Sequence, residues 1–344
     1  MIVDIHSHFI PKSWPDLAKR YDSADWPWIK HLGGGQAMIM VGDREFRKIY
    51  SACWDPAKRL EEMDRDGVDV QIISATPILF GYDRPVSQAV DCAKVFNDAA
   101  LEMCAKSHGR LHALAQVPLQ DTDAACQVVS QAMKDGHLGV QIGNHLGNRE
   151  LSDPALMTFL HHCADEGAAV LVHPWDMLAM ERMKKYMLPW LVSMPAETQL
   201  SILWLILSGA FDKLPRSLRI CFAHGGGSFA YLLGRLDNAW QHRDIVREDC
   251  KNLPSSYVDR FFVDSAVFSD SALTLLVDVM GESQVMLGTD YPFPLGEQQM
   301  SALVQNSSTL SPSAKRKVLG DNALQFFNLN KSIAVPEMAN FGER

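Results

Sequence analysis

The sequence has no long lysine- or arginine-rich run, and its 32 basic residues against 41 acidic leave a net charge of −9. Such a chain repels phosphate, which excludes nucleic acid as a general partner. No CxxC pair occurs among the seven cysteines (Cys53, Cys92, Cys104, Cys126, Cys163, Cys221 and Cys250). Neither a disulfide framework nor a thiolate metal knot is indicated, and free thiols in a reducing compartment are expected. No uninterrupted apolar stretch reaches membrane-spanning length, and the most apolar segment, "LSILWLILSGAF", reads as a helix too short to cross. The opening "MIVDI" has neither the basic segment nor the apolar core of a secretory signal. A cytoplasmic protein with no membrane or nucleic-acid partner is the expectation. Internal repeats, low-complexity tracts and fingerprints for pyridoxal, thiamin or flavin are also missing.

What is present is rhythm. Short apolar runs recur at 1–5, 68–74, 111–117, 138–142, 168–172, 219–223, 260–265 and 285–289, with helix-like stretches between them. Continuously apolar strands are those covered on both faces, as in parallel sheets. Eight strand–helix alternations predict an α/β fold, a (β/α)8 TIM barrel, as a single domain over residues 1–344. In "DPAKRLEEMDRDG", Asp55 suits a helix cap, Pro56 the first helical position and Gly67 the stop. Two stretches break the rhythm. Residues 9–55, holding a strand-like "AMIMV", predict a small insertion after strand 1, at about 12–50; residues 174–195 predict a long loop after strand five.

The second residue pattern is chemical. In "DIHSH", His6 and His8 are two apart on a strand and share one side. Imidazole is a common transition-metal ligand, yet an isolated HxH is more often two ordinary histidines. His173 ends strand five in "LVHPW", His224 ends strand six in "CFAHGGGS", and Asp290 ends strand eight in "LGTDYPFP". Alone, His173 reads as a loop histidine and Asp290 as a turn cap. Together, five such groups at one end of a barrel point to an active site. "HGGG" also resembles an esterase oxyanion motif, but no G-x-S-x-G elbow exists to supply a nucleophile. The glycines are expected to let the backbone pass close to a ligand. His145, in "IGNHLG", is a candidate neighbour of the site.

This placement of HxH, His, His and Asp resembles the amidohydrolase superfamily. The ordered set "HSHFIPK", "FRKIYSACWDP", "AQVPLQD", "GVQIGNHLG", "LVHPWDM", "ICFAHGGGSFAYLLGR", "FFVDSAVF" and "LGTDYPFPLGE" is similar, within it, to the decarboxylases of 2-amino-3-carboxymuconate 6-semialdehyde. The resemblance implies one Zn2+ per subunit held by His6, His8, His173 and Asp290, since "LGVQIG" lacks the strand-four lysine that bridges two metals in many relatives. It implies His224 as general base and acid, with Asp290 also catalytic. A water acidified by the metal would add to the substrate before CO2 leaves. Arg47 and Arg235 would grip the two carboxylates of an anionic substrate, Arg235 from the neighbouring subunit of a homodimer, with Trp190 and Phe293 as walls. The implied setting is tryptophan (kynurenine) or aminobenzoate breakdown. A related hydrolase of a lactone or amide of an aromatic acid, and a zinc-stabilised scaffold, are the competing readings.

Overall fold

Eight parallel strands carry the architecture: Val3–Phe9, Val70–Ala75, Leu111–Ala115, Gly139–Gly143, Ala169–His173, Ile220–Phe222, Phe262–Asp264 and Val285–Met286. The computed structural model describes residues 1–23 and 25–329. The expected domain runs to residue 344, and 330–344 lie outside the described residues. Each strand pairs with its neighbour in chain order. Bonds from Ile5 N to Leu287 O (2.8 Å) and His8 N to Tyr291 O (2.7 Å) join the last strand to the first. The sheet therefore closes, with helices around it, as the apolar rhythm predicted. Strand eight is shorter than its apolar run because the Leu287 amide leaves the ladder to donate to Val318 O (2.7 Å).

Local chemistry sets the element ends. In the helix Pro56–Asp66, Asp55 caps the amide of Ala57 (3.0 Å), and Gly67 closes it in the left-handed region. Within the 9–55 interval, strands Pro27–Gly33, Gln36–Val41 and Arg44–Tyr50 form an antiparallel sheet; sequence reading anticipated only the middle one. Its buried Ala37, Ile39 and Ile49 pack with Ile10, Cys53 and Phe293, which fixes the sheet beside the segment following Asp290.

One expectation is corrected. The apolar segment near residue 200 belongs to a continuous helix, Pro189–Leu207, of 19 residues, long and apolar enough to cross a membrane by length and composition. Its first turn, Pro189–Ser193, is π-helical, and the wider turn accommodates Pro195, which has no amide hydrogen to donate. Ile202, Leu205 and Ile206 are fully buried in the main core, whereas Leu191, Val192 and Trp204 on the same helix are about half exposed.

Glu297 gives the fold a pH dependence. It accepts from the amide of Leu303 (2.6 Å), and burial pushes its carboxyl from 4.5 up to about 7. The folded state thus holds this proton more tightly than the unfolded chain, so stability falls as pH rises from about 4.5 to about 7 and stays reduced above. We expect Glu297→Gln to be more stable than the parent at pH 8 by about 1–2 kcal/mol, the difference vanishing near pH 4. Urea melts at the two pH values check this.

Candidate metal centre

Strand one delivers two imidazoles to one point. His6 and His8 lie with their Nε2 atoms 3.2 Å apart, and His8 Nε2 is 3.2 Å from Asp290 Oδ1. The donor atoms of His6, His8, His173 and Asp290 all lie within 4.8 Å of one another, and all four residues are buried. Donors about 2.0 Å from a tetrahedral ion stand roughly 3.3 Å apart, so the spacing of the closest pairs suits a shared cation. His173 donates through Nδ1 to Pro174 O (2.7 Å), which leaves Nε2 as a buried lone pair with no partner among the described residues. An orphaned buried acceptor is costly unless something binds it.

The electrostatics keep His8 and His173 neutral. Burial pushes His8 down to about 4, and burial with the neighbouring histidines holds His173 well below its ordinary value. Both rings are therefore neutral donors of a lone pair. For Asp290, burial favours the acid, but His224 and His8 outweigh it and keep the carboxylate ionised. For His6, burial disfavours protonation, and the Asp264 carboxylate on Nδ1 (2.6 Å) overrides it.

His224 completes the group without joining the four donors. Its ring centroid lies 5.0 Å from that of His173 and 5.1 Å from that of His6, and Nε2 is 3.9 Å from Asp290 Oδ2, beyond hydrogen-bond range. Both its nitrogens lack hydrogen-bond partners among the described residues. His224 and Asp290 each sit in the left-handed region (φ 56° and 57°), unusual for residues with a Cβ and typical of functional sites. At the following glycines the protein's own chain approaches closely. A Cβ on Gly227 would overlap the Pro195 carbonyl, and one on Gly225 would stand 2.5 Å from Val267 Cγ1.

The inserted sheet supplies the neighbouring wall. The Arg47 guanidinium lies 4.5 Å from the Phe293 ring centroid and 5.9 Å from that of Trp190, and the Phe293 ring is 5.2 Å from His8. Arg235 is not brought in: it is exposed on the helix Phe229–His242. His145 also stays outside the cluster, bonded to Gly147 O (2.9 Å) with Nε2 3.6 Å from Glu197.

Three buried residues beneath the site escaped sequence reading. Arg59, fully buried, donates to the His8 carbonyl, Ser7 Oγ (3.2 Å) and Gln71 Oε1 (3.2 Å), and lies over the Tyr291 ring. Gln71 passes the contact on to Asp4 (2.9 Å), whose carboxylate accepts from Thr289 Oγ1 (2.7 Å). This network ties the HxH strand to the segment bearing Asp290. Arg59 shares the buried face of its helix with Met63 and Asp66, a face too charged to read as buried from sequence. The third, Asp264, ends strand seven as Asp290 follows strand eight.

A closed parallel barrel with three imidazoles and one carboxylate clustered beyond its strands defines a metal-dependent barrel enzyme. The amidohydrolase family profile matches residues 3–329. The 2-amino-3-carboxymuconate-6-semialdehyde decarboxylase of Dictyostelium discoideum is 40% identical over 330 residues, spanning 95% of this chain and 92% of that protein. The apo form of Metarhizium anisopliae IDCase superposes with a TM-score of 0.80 at 23% identity, over 96% of this chain and 97% of that one. The 5-carboxyvanillate decarboxylase of Novosphingobium aromaticivorans DSM 12444, in complex with manganese and 4-hydroxy-3-methoxy-5-nitrobenzoic acid, superposes at 0.77 with 22% identity, over 96% of each chain. The chain belongs to the amidohydrolase family and, within it, to the decarboxylases, a group of carboxy-lyases.

Proposed function

We propose that the protein removes CO2 without oxidation from 2-amino-3-carboxymuconate 6-semialdehyde, giving 2-aminomuconate 6-semialdehyde, in tryptophan (kynurenine) or aminobenzoate breakdown. The observation that carries this reading is Arg47. Its guanidinium, mostly withdrawn from water and losing proton affinity through burial, has no carboxylate or carbonyl partner among the described residues, and it stands beside the four-donor cluster. A half-buried cation without a carboxylate partner suits an anion, and a guanidinium pairs with a carboxylate through two parallel bonds. The 40% identity to a decarboxylase of this substrate supports the choice.

His6, His8, His173 and Asp290 are assigned as ligands of one Zn2+ per subunit; three imidazoles and a carboxylate suit zinc, and the manganese in the 5-carboxyvanillate enzyme makes manganese the competing ion. A cation held there would supply positive charge that lowers the pKa of water at the site toward neutrality. His224 Nε2 would take a proton from a water at that position as its oxygen adds to the olefinic carbon, and would return it to the neighbouring carbon that bears the leaving carboxylate; the added hydroxide departs again as CO2 is lost. The electron pair of the broken C–C bond stays on that carbon, so no oxidant is required. Asp290, ionised, stabilises the protonated His224. Arg47 holds a substrate carboxylate, while Phe293 and Trp190 wall the pocket.

Arg235 is assigned to the active site of a second subunit in a homodimer. Tyr231, one turn before it, is 78% exposed, and Leu191, Val192 and Trp204 give the helix Pro189–Leu207 an uncovered apolar face; both features suit a subunit contact. Arg47→Met is expected to raise KM for the dicarboxylate on the order of tenfold to a hundredfold, as loss of a charge-assisted bond implies, with less effect on metal content. Steady-state kinetics with metal analysis check it, and an unchanged KM counts against the assignment. Arg235→Ala should be inactive alone and regain activity in heterodimers with a ligand-site variant bearing an intact Arg235. No recovery in proven heterodimers counts against sharing.

A further inference from the structure

Four N–H groups converge on the Asp264 carboxylate, which is fully buried. Oδ2 accepts from His6 Nδ1 (2.6 Å) and from the His224 amide (3.0 Å), and Oδ1 accepts from the amides of Gly225 (2.9 Å) and Ala266 (3.0 Å). One oxygen atom is thus shared by the ring of His6 and the backbone of His224, residues 218 positions apart in sequence (224 − 6). The close approach also depends on Gly288, where a Cβ would stand 2.7 Å from Asp264 Cβ and 2.9 Å from His6 Cβ.

We propose that Asp264 is a positioning residue for both halves of the site: its carboxylate fixes His6 as an Nε2 donor toward the metal and pins the turn that aims His224. The first half follows from tautomer chemistry. A neutral imidazole that donates from Nδ1 presents its lone pair at Nε2, the atom 3.2 Å from His8 Nε2, and a carboxylate partner makes that lone pair more basic. The second half follows from backbone geometry. His224 and Gly225 occupy consecutive left-handed conformations (φ 56° and 62°), and two of the four bonds run from their amides to Asp264. A carboxylate accepts at both oxygens, whereas an amide offers one oxygen and two further N–H donors. Asn at this position therefore turns hydrogens toward hydrogens and is not a conservative replacement.

The inference rests on the metal reading above, so the test separates the two. In Asp264→Asn, the metal dissociation constant, read by competition with a chromogenic chelator for Zn2+, is expected to rise about tenfold to a hundredfold. At saturating Zn2+, kcat should remain depressed by about tenfold or more with KM little changed, because His224 is misaimed whether or not metal is present. Unchanged metal affinity, or kcat fully restored by excess Zn2+, overturns the double role. Should the variant not fold, 15N NMR of the imidazoles in the metal-free parent decides the first half, with His6 assigned through His6→Gln. A proton on Nδ1 is expected, and a proton on Nε2 alone overturns it. Parent protein that binds no divalent ion contradicts the metal reading, while the tautomer measurement still judges Asp264.

Discussion

His173→Ala abolishes turnover, by about a thousandfold or more, and so does exhaustive chelation of the parent protein, since a Lewis acid contributes several kcal/mol to the barrier. The expectation follows from the orphaned Nε2 of His173, a buried acceptor whose ring is already oriented by the bond from Nδ1 to Pro174 O. Removing the ring deletes one of four donors without touching Asp264, Arg59 or the strand pairing. Two readouts distinguish lost metal from lost fold. Chelation should lower the melting temperature of the parent, because an ion that binds only the folded state stabilises it by mass action. The same chelator should leave the melting temperature of His173→Ala nearly unchanged. A variant that retains one equivalent of metal, or a parent indifferent to chelator in both activity and melting, contradicts the ligand assignment.

His224→Ala should behave in the opposite way, keeping its metal and losing turnover by about a hundredfold to ten-thousandfold, the range for removal of a general acid–base. His224 stands with its ring 5.0–5.1 Å from two of the proposed ligands and its Nε2 3.9 Å from Asp290, yet neither ring nitrogen has a hydrogen-bond partner among the described residues. It is held by its backbone, not its ring, so truncation at Cβ leaves the bond from its amide to Asp264 intact. Metal content near one equivalent with KM little altered and kcat strongly reduced is the expected outcome. Metal loss in this variant would instead make His224 a ligand.

The barrel was legible because burial on both faces writes each strand as a continuous apolar run, and eight such runs stand in the sequence. The four-donor cluster was legible for a different reason. His6 and His8 share a strand face, and His173 and Asp290 follow at the ends of apolar runs, so barrel closure alone brings them together. Asp264 carries the same strand-end signal, but its meaning depends on His6, 258 residues away, and on a glycine that permits their contact. Arg59 was concealed by its setting in a charged helix, where an arginine ordinarily reads as solvated; only the packed HxH strand shows which acceptors it serves. The 19-residue helix was misjudged because its first turns fall in the stretch 174–195 that reads as a loop, whereas Pro189 sits at the helix start and a π turn precedes Pro195. Arg235 is exposed on its helix, and the role proposed for it in a second subunit leaves no mark within one chain.

The most direct test of the whole account is a titration. Protein stripped of metal is mixed with increasing Zn2+ and assayed with 2-amino-3-carboxymuconate 6-semialdehyde for released CO2. The predicted result is no turnover in the stripped protein, activity that rises to a plateau at one ion per subunit, and one CO2 for each substrate consumed. Turnover without metal, or consumption of substrate by hydrolysis with no CO2, contradicts the account.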